Sequence, residues 1–102
     1  MMEIKTSYIN GQSTLLIDVG EKFDFSKVEG FRQAYLGVKT GVRHITVDLS
    51  RTEYMDSSAL GMLLNMQKAL ADRGFSYSIE NAKPQVAKIL KISRFDKKFE
   101  IR

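Results

Sequence analysis

The sequence predicts an α/β fold in which a mixed sheet of about five strands is covered by α-helices. Short β-branched or aromatic segments alternate along the chain with segments whose apolar residues recur every three or four positions. A hairpin signal at residues 10–13, NGQS, joins the first two strands, whereas each later strand follows a helical segment. The expected order is therefore β-β-α-β-α-β-α-β, within one domain that spans residues 1–102.

Each predicted strand is a short run of β-favouring residues bounded by turn signals. Such runs occur at residues 3–10, 14–19, 44–50, 75–80 and 97–102. In the third run Ile45, Val47 and Leu49 share one face, which is typical of a strand with one buried side.

Helices are expected between these strands. In the first helix, apolar residues recur at helical spacing at Val28, Phe31, Ala34, Tyr35 and Val38. Asp24 or Ser26 can cap its start, and Gly37 and Gly41 bracket its end. The last helix begins at Pro84, the only proline, where the missing N–H costs nothing.

The middle helix is predicted from about Ser57 to Arg73, with Gly74 ending it. One face is expected to form the core, with Leu60, Leu63, Leu64, Leu70 and Ala71. A second apolar stripe beside it contains Ala59, Met62, Met66 and Ala69. This stripe can widen the core contact, or it can be an exposed docking strip whose flexible methionines adapt to a partner. The residues alone leave both interpretations open.

Composition excludes several classes of protein. The chain has no cysteine, so it forms neither disulfides nor cysteine-based zinc sites, and a reducing compartment such as the cytoplasm is expected. No apolar run approaches the ~18 residues of a membrane span, and the start is expected to be a strand and not a signal peptide. The net charge of +4 permits an acidic partner, but the basic residues read as scattered apart from Lys97 and Lys98. We therefore expect neither nucleic-acid binding nor membrane insertion.

No catalytic constellation is evident. His44 is the only histidine; it begins a β-branched strand, has no metal-ligand pattern around it, and is expected to be structural. Asp48 and Asp56 flank one strand-to-helix connection, but two acids alone are weak evidence for acid/base catalysis. No phosphate-binding loop, nucleophile elbow or metal motif occurs. The sequence thus predicts a protein that is not an enzyme and that needs no cofactor or metal.

An acid and two hydroxyls, Asp56, Ser57 and Ser58, lie where a charged turn gives way to the middle helix. On position alone, a serine there is a helix cap whose hydroxyl accepts a backbone N–H bond. The surrounding segment, ITVDLSRTEYMDSSALGMLLNMQKAL, resembles the signature of STAS domains, specifically the bacterial anti-sigma factor antagonists. GEKFDFSKVEGF and NAKPQVAKILKISRF are similar to two further segments of that family, so the resemblance covers nearly the whole chain as a single STAS domain.

The resemblance implies a function. In that family the serine after the motif aspartate is phosphorylated by a partner serine kinase, often the anti-sigma factor itself, and that serine corresponds to Ser57. A PP2C-type phosphatase would remove the phosphate. Asp24, Asp56 and Ser58 would lie at the partner-binding surface, together with Ala59, Met62 and Met66 if the docking strip is exposed.

Two departures from the family pattern are visible. Ala59 replaces the commoner glycine, and relatives often continue into a further helix after the last strand. The alternative function is that of a STAS subunit in a membrane transport complex, such as a lipid-transport ATPase assembly. There the domain would be structural and the serine would only cap the helix.

Overall fold

The computed structural model describes residues 4–102, and the predicted element order is confirmed over that range. The main sheet has five strands: β1 (Lys5–Ile9), β2 (Thr14–Asp18), β4 (His44–Asp48), β6 (Ser76–Glu80) and β7 (Glu100–Ile101). Their spatial order is β1-β2-β4-β6-β7. Glu3, the expected start of the first strand, lies outside the described residues.

The sheet is mixed because its connections differ. The tight turn at residues 10–13 makes β1 antiparallel to β2, and Asn10, Gly11 and Gln12 all have positive φ there. The other neighbours, β2–β4, β4–β6 and β6–β7, are parallel, since each connection between them carries a helix.

The helices are α1 (Val28–Leu36), α2 (Ser57–Ala69) and α3 (Pro84–Ile92). Short 3-10 turns precede α1 at residues 25–27, follow α2 at 71–73 and follow α3 at 95–97. Pro84 is the first residue of α3, as expected. The middle helix is expected from the sequence to reach Arg73, but α2 ends at Ala69, and Gly74, with a φ of 72°, ends the separate 3-10 turn that follows. Among the described residues no helix is long and apolar enough to cross a membrane.

One feature is absent from the sequence-based expectation. Two short strands, β3 (Lys22–Phe23) and β5 (Tyr54–Met55), pair in parallel as a separate sheet. A strand of two residues is too short to show an alternating pattern, so periodicity could not predict it. This small sheet matters because α2 begins directly after β5, and the 3-10 turn that leads into α1 begins directly after β3.

The core lies on one face of the main sheet, where alternate strand residues pack against the helices. From the strands it takes Leu15, Ile17, Ile45, Val47 and Ile79, all fully buried. From α2 it takes residues at helical spacing: Ala59, Met62, Leu63, Met66 and, just after the helix, Leu70.

The exposed docking strip is therefore a wrong interpretation. Ala59 and Met66 are 0% exposed, and Met62 is 7% exposed on the wall of a groove of only about 80 Å³ between α1 and α2. By contrast Leu64, which the sequence predicts to lie in the core, is 37% exposed, and Ala71, predicted on the same face, is exposed as well. Ala69 of the second stripe is also exposed. Leu63 and Leu70 are buried as expected, so the predicted core face of α2 is right in part. Beside these leucines the buried stripe contains a small alanine and methionines whose flexible side chains fill irregular space.

The opposite face of the sheet is polar and holds His44. Its Nδ1 lies 2.6 Å from the Ser76 hydroxyl, and its Nε2 lies 2.8 Å from the Ser78 hydroxyl. The Ser78 hydroxyl donates to the Glu80 carboxylate at 2.9 Å, because a carboxylate only accepts, so Nε2–H of His44 donates to Ser78. Burial and the charge of Arg102 lower the pKa of His44. The ring is thus held by two serines within the sheet.

Candidate functional site

The site is built on two helix starts that leave the small sheet side by side. Phe23 pairs with Met55 in the parallel register, and both side chains are buried, at 0% and 3% exposed. Asp24 and Asp56 are the residues that follow the two strands. Since neighbouring strands lie about 4.8 Å apart, the register places these two aspartates beside each other.

The two aspartates have matching geometry. Asp24 has φ −136° and ψ −171°, and Asp56 has φ −129° and ψ −175°. In each case the carboxylate accepts the backbone N–H two residues later at 3.0 Å and the hydroxyl of that same residue at 2.5 Å. The donor residue is Ser26 for Asp24 and Ser58 for Asp56.

The expectation that a serine caps the middle helix is wrong. The residue that caps α2 is Asp56, and Ser57 is the first residue of the helix itself. Asp24 caps the 3-10 turn before α1, whereas the residue at the start of α1 itself is Lys27, whose side chain makes no capping bond, so neither Asp24 nor Ser26 caps α1 as expected. In both turns the serine hydroxyl donates to the capping carboxylate instead of accepting from the backbone.

This arrangement separates the two serines of the motif. Ser58 is partly buried, and its hydroxyl is occupied by Asp56. Ser57 is exposed, and within residues 4–102 its hydroxyl makes no side-chain hydrogen bond. A hydroxyl that is free and directed away from the core can be reached by another protein without breaking an internal contact.

The equivalent position in the neighbouring turn carries a different side chain. Phe25 follows Asp24 as Ser57 follows Asp56, and its ring is 75% exposed. Tyr54, in β5, is 51% exposed. Neither aromatic is among the residues predicted from the sequence, although the similarity between FDFS and MDSS indicates that residues 25 and 57 are equivalent.

The connections that hold the two strands of the small sheet together are buried or charge-assisted. The Thr52 hydroxyl donates to the Gly20 carbonyl at 2.7 Å, and Thr52 is 0% exposed. The backbone N–H of Glu53 donates to the Glu21 carbonyl at 2.8 Å. The Glu53 carboxylate in turn accepts from Lys83 at 2.6 Å, which ties the start of α3 to the same edge. These contacts hold the two helix starts side by side.

Charge at the site is mixed. The Ser26 hydrogen bond, with help from the charges of Lys27 and Lys22, lowers the pKa of Asp24. Asp24 is thus a carboxylate at neutral pH, and no cluster of three or more potential metal ligands occurs among residues 4–102.

Of the six predicted partner-binding residues, Asp24, Asp56 and Ser58 lie around Ser57, whereas the other three are in the core.

Replacing Asp56 with alanine is expected to lower the free energy of unfolding by about 1 kcal/mol, within a range of roughly 0.5–2, and Asp24→Ala is expected to change it in the same direction. Each substitution leaves a backbone N–H without its acceptor. Asp24→Asn and Asp56→Asn are the matched controls, since asparagine caps equally well. Urea unfolding followed by circular dichroism measures the difference. Equal stability of the alanine and asparagine variants would show that these caps contribute nothing.

Comparison with known proteins agrees with the fold. Residues 9–101 match the family described as "Mlab, STAS domain". A STAS-domain containing protein of Pseudomonas aeruginosa (strain UCBPP-PA14) is 41% identical over 87 residues, which is 85% of this chain and 86% of that protein.

Solved structures share the fold at low sequence identity. The unphosphorylated anti-sigma factor antagonist SpoIIAA superposes with a TM-score of 0.77 at 21% identity, covering 97% of this chain and 87% of that one. SpoIIAA, the Bacillus cell fate determinant, is also known in a phosphorylated form, with a TM-score of 0.67 at 19% identity, covering 97% and 90% of the chains.

A sulfate transporter family protein from Wolinella succinogenes has a TM-score of 0.73 at 12% identity and covers 83% and 70% of the two chains. The family match over residues 9–101 and the 41% identity to the Pseudomonas aeruginosa protein over 85% of this chain show that the chain belongs to the STAS domain family.

Proposed function

We propose that this STAS domain is an anti-sigma factor antagonist in a bacterial partner-switching pathway, and that phosphorylation of Ser57 switches its binding off. The observation that carries the proposal is the state of Ser57 at the capped start of α2. It is exposed and its hydroxyl is unbonded, whereas the adjacent Ser58 hydroxyl is held by Asp56. The existence of SpoIIAA in phosphorylated and unphosphorylated forms supports the same reading.

The partner is proposed to be an anti-sigma factor that is also a serine kinase, with a PP2C-type phosphatase reversing the modification. Its binding surface would cover Ser57 together with the ring of Phe25, which lies on the neighbouring turn. Aromatic side chains are enriched at the centres of protein interfaces because they bury a large area. The domain itself performs no chemistry in this scheme. It would act in the cytoplasm.

The physics of the helix start favours a binding switch over a folding switch. Phosphate adds about −1.5 to −2 charges, and the positive end of α2 stabilises negative charge by ~0.3–1 kcal/mol. The Asp56 carboxylate next to it opposes that gain, so the free energy of folding changes little. When the partner protein is bound, the same charge loses its water and meets no counter-charge, which costs ~2–5 kcal/mol of binding free energy.

A second candidate is a STAS subunit of a membrane transport complex, such as one that moves lipids. This candidate is supported by the fold that the chain shares with a sulfate transporter family protein. In that case the site around Ser57 would be a fixed structural contact, and its phosphorylation state would be irrelevant to assembly.

Capture of partners from the native host, with Ser57→Ala and Ser57→Asp proteins as matched baits, tests the proposal. The expected result is a serine kinase or anti-sigma factor that is enriched on the alanine bait and depleted on the aspartate bait. Recovery of a transport ATPase in equal amounts on both baits would overturn the proposal in favour of the second candidate.

A further inference from the structure

The positive charge of this protein is concentrated in one segment. Residues 88–98 carry five basic residues and one acidic residue, a net charge of +4, which equals the net charge of the whole chain. The remaining 11 of 16 basic residues are balanced by the remaining 11 of 12 acidic residues. The expectation of a scattered positive excess is therefore wrong, because α3 and the turn after it bring the unbalanced cations together.

These five cations form what we call the basic patch: Lys88, Lys91, Arg94, Lys97 and Lys98. All five are exposed, and none makes an ion pair with any residue in the described range 4–102. Elsewhere in the described range Arg32, Arg51, Lys83 and Arg102 pair with acids, and the other basic residues are balanced in number by acids along the chain. Like charges held together without counter-charges raise the local potential, which an acidic partner would relieve.

An apolar groove adjoins the basic patch. It has a volume of about 310 Å³ and is lined by Ala87, Leu90 and Ile101, with Lys91 and Asp96 supplying charged groups. Ile92, on the same helix as Lys88 and Lys91, is 71% exposed. The surface thus combines unpaired cations with apolar area in and beside a concave site.

We propose that the basic patch and this groove dock an acidic protein segment that carries apolar side chains. Its carboxylates would face the cations while an apolar side chain fills the groove. The shape favours this occupant over two others. A flat membrane cannot enter a groove, and nucleic-acid binding would leave the apolar lining unused, since no exposed aromatic is interleaved with the cations for base stacking.

This surface is separate from the helix starts. The Gln67 side chain donates to the Lys98 carbonyl at 2.6 Å, which fixes the basic patch against the far part of α2. Gln67 is ten residues after Ser57, about 15 Å along the helix axis. That distance exceeds the Debye length of ~8 Å at physiological ionic strength, so a charge at Ser57 is largely screened from the patch.

Fluorescence anisotropy with a labelled synthetic peptide of glutamate pairs separated by single leucines tests the proposal. The full chain is expected to bind it, and the affinity should fall on the order of tenfold in Lys88→Glu/Lys91→Glu. The control Lys5→Glu/Arg43→Glu makes the same charge change at exposed residues elsewhere and should bind as the parent does. Ser57→Asp should also bind as the parent does. Circular dichroism confirms that each variant is folded.

Further arms identify the kind of partner. The parent protein should bind a peptide with serine in place of leucine more weakly than the original peptide. The Ile92→Ser variant should likewise bind the original peptide more weakly than the parent does, because apolar contact is lost in both cases. Equal binding of the two peptides would overturn the proposal. So would equal loss of affinity in the control variant, or tighter binding to phosphatidylglycerol vesicles or duplex DNA than to the leucine peptide.

Discussion

Ser57→Asp is expected to weaken binding of the captured partner by roughly a hundredfold or more, while Ser57→Ala binds at least as tightly as the parent protein. The aspartate places a negative charge on an exposed residue of the surface proposed to bind the partner. A charge desolvated there without a counter-charge costs ~2–5 kcal/mol, and each 1.4 kcal/mol corresponds to tenfold in affinity. Isothermal titration calorimetry with the purified partner measures the difference.

The control for this experiment is thermal stability. Both variants should melt within a few degrees of the parent, since the helix dipole and the neighbouring Asp56 act on the new charge in opposite senses. Ser58→Ala is the matched substitution at the next residue. It removes the hydroxyl that donates to Asp56 but adds no charge, so it should not reproduce the loss of affinity. A large drop in melting temperature for Ser57→Asp alone would mean that unfolding, and not the docking surface, explains the result.

Met66→Ala is expected to lower the free energy of unfolding by about 2–5 kcal/mol. Met66 is 0% exposed, and its truncation leaves a cavity between α2 and the sheet. Since a domain of this size is stabilised by only ~5–15 kcal/mol, the loss is a large share of the total. Chemical denaturation with urea gives the value directly.

Leu64→Ala is the matched control in the same helix. Leu64 is 37% exposed, so its truncation should cost much less than that of Met66. The comparison decides between the two interpretations of the methionine stripe. If the stripe were an exposed docking strip, Met66→Ala would leave stability unchanged, and the leucine variant would show the greater loss.

Much of the fold could be predicted from the residues alone. Apolar spacing located the helices, and the turn signal at residues 10–13 and Pro84 marked boundaries that the structure confirms. The exposed and buried sides of α2 could not be predicted in the same way. Helical spacing defines stripes, but which stripe faces the sheet depends on how α2 packs, and here Ala59 and Met66 outrank the more hydrophobic Leu64.

The candidate site was predictable in part. The motif and its resemblance to a family pointed to Asp56, Ser57 and Ser58, but the capping role was assigned to the wrong side chain. Serine and aspartate both cap helices well, so residue type could not choose between them. The parallel pairing of Phe23 with Met55 is a long-range contact between two-residue strands. Because the sequence does not reveal this pairing, it could not predict that Phe25 and Ser57 lie on neighbouring turns.

Mapping of the phosphate by tandem mass spectrometry tests the central claim most directly. The protein is isolated from its native host, and the parent, Ser57→Ala and Ser58→Ala forms are compared. Phosphate is expected on Ser57 in the parent, absent from Ser57→Ala and retained by Ser58→Ala, because of these two serines Ser57 is the one whose hydroxyl is exposed and unbonded. Phosphate on Ser58 or at another residue of the parent protein would contradict the assignment of Ser57.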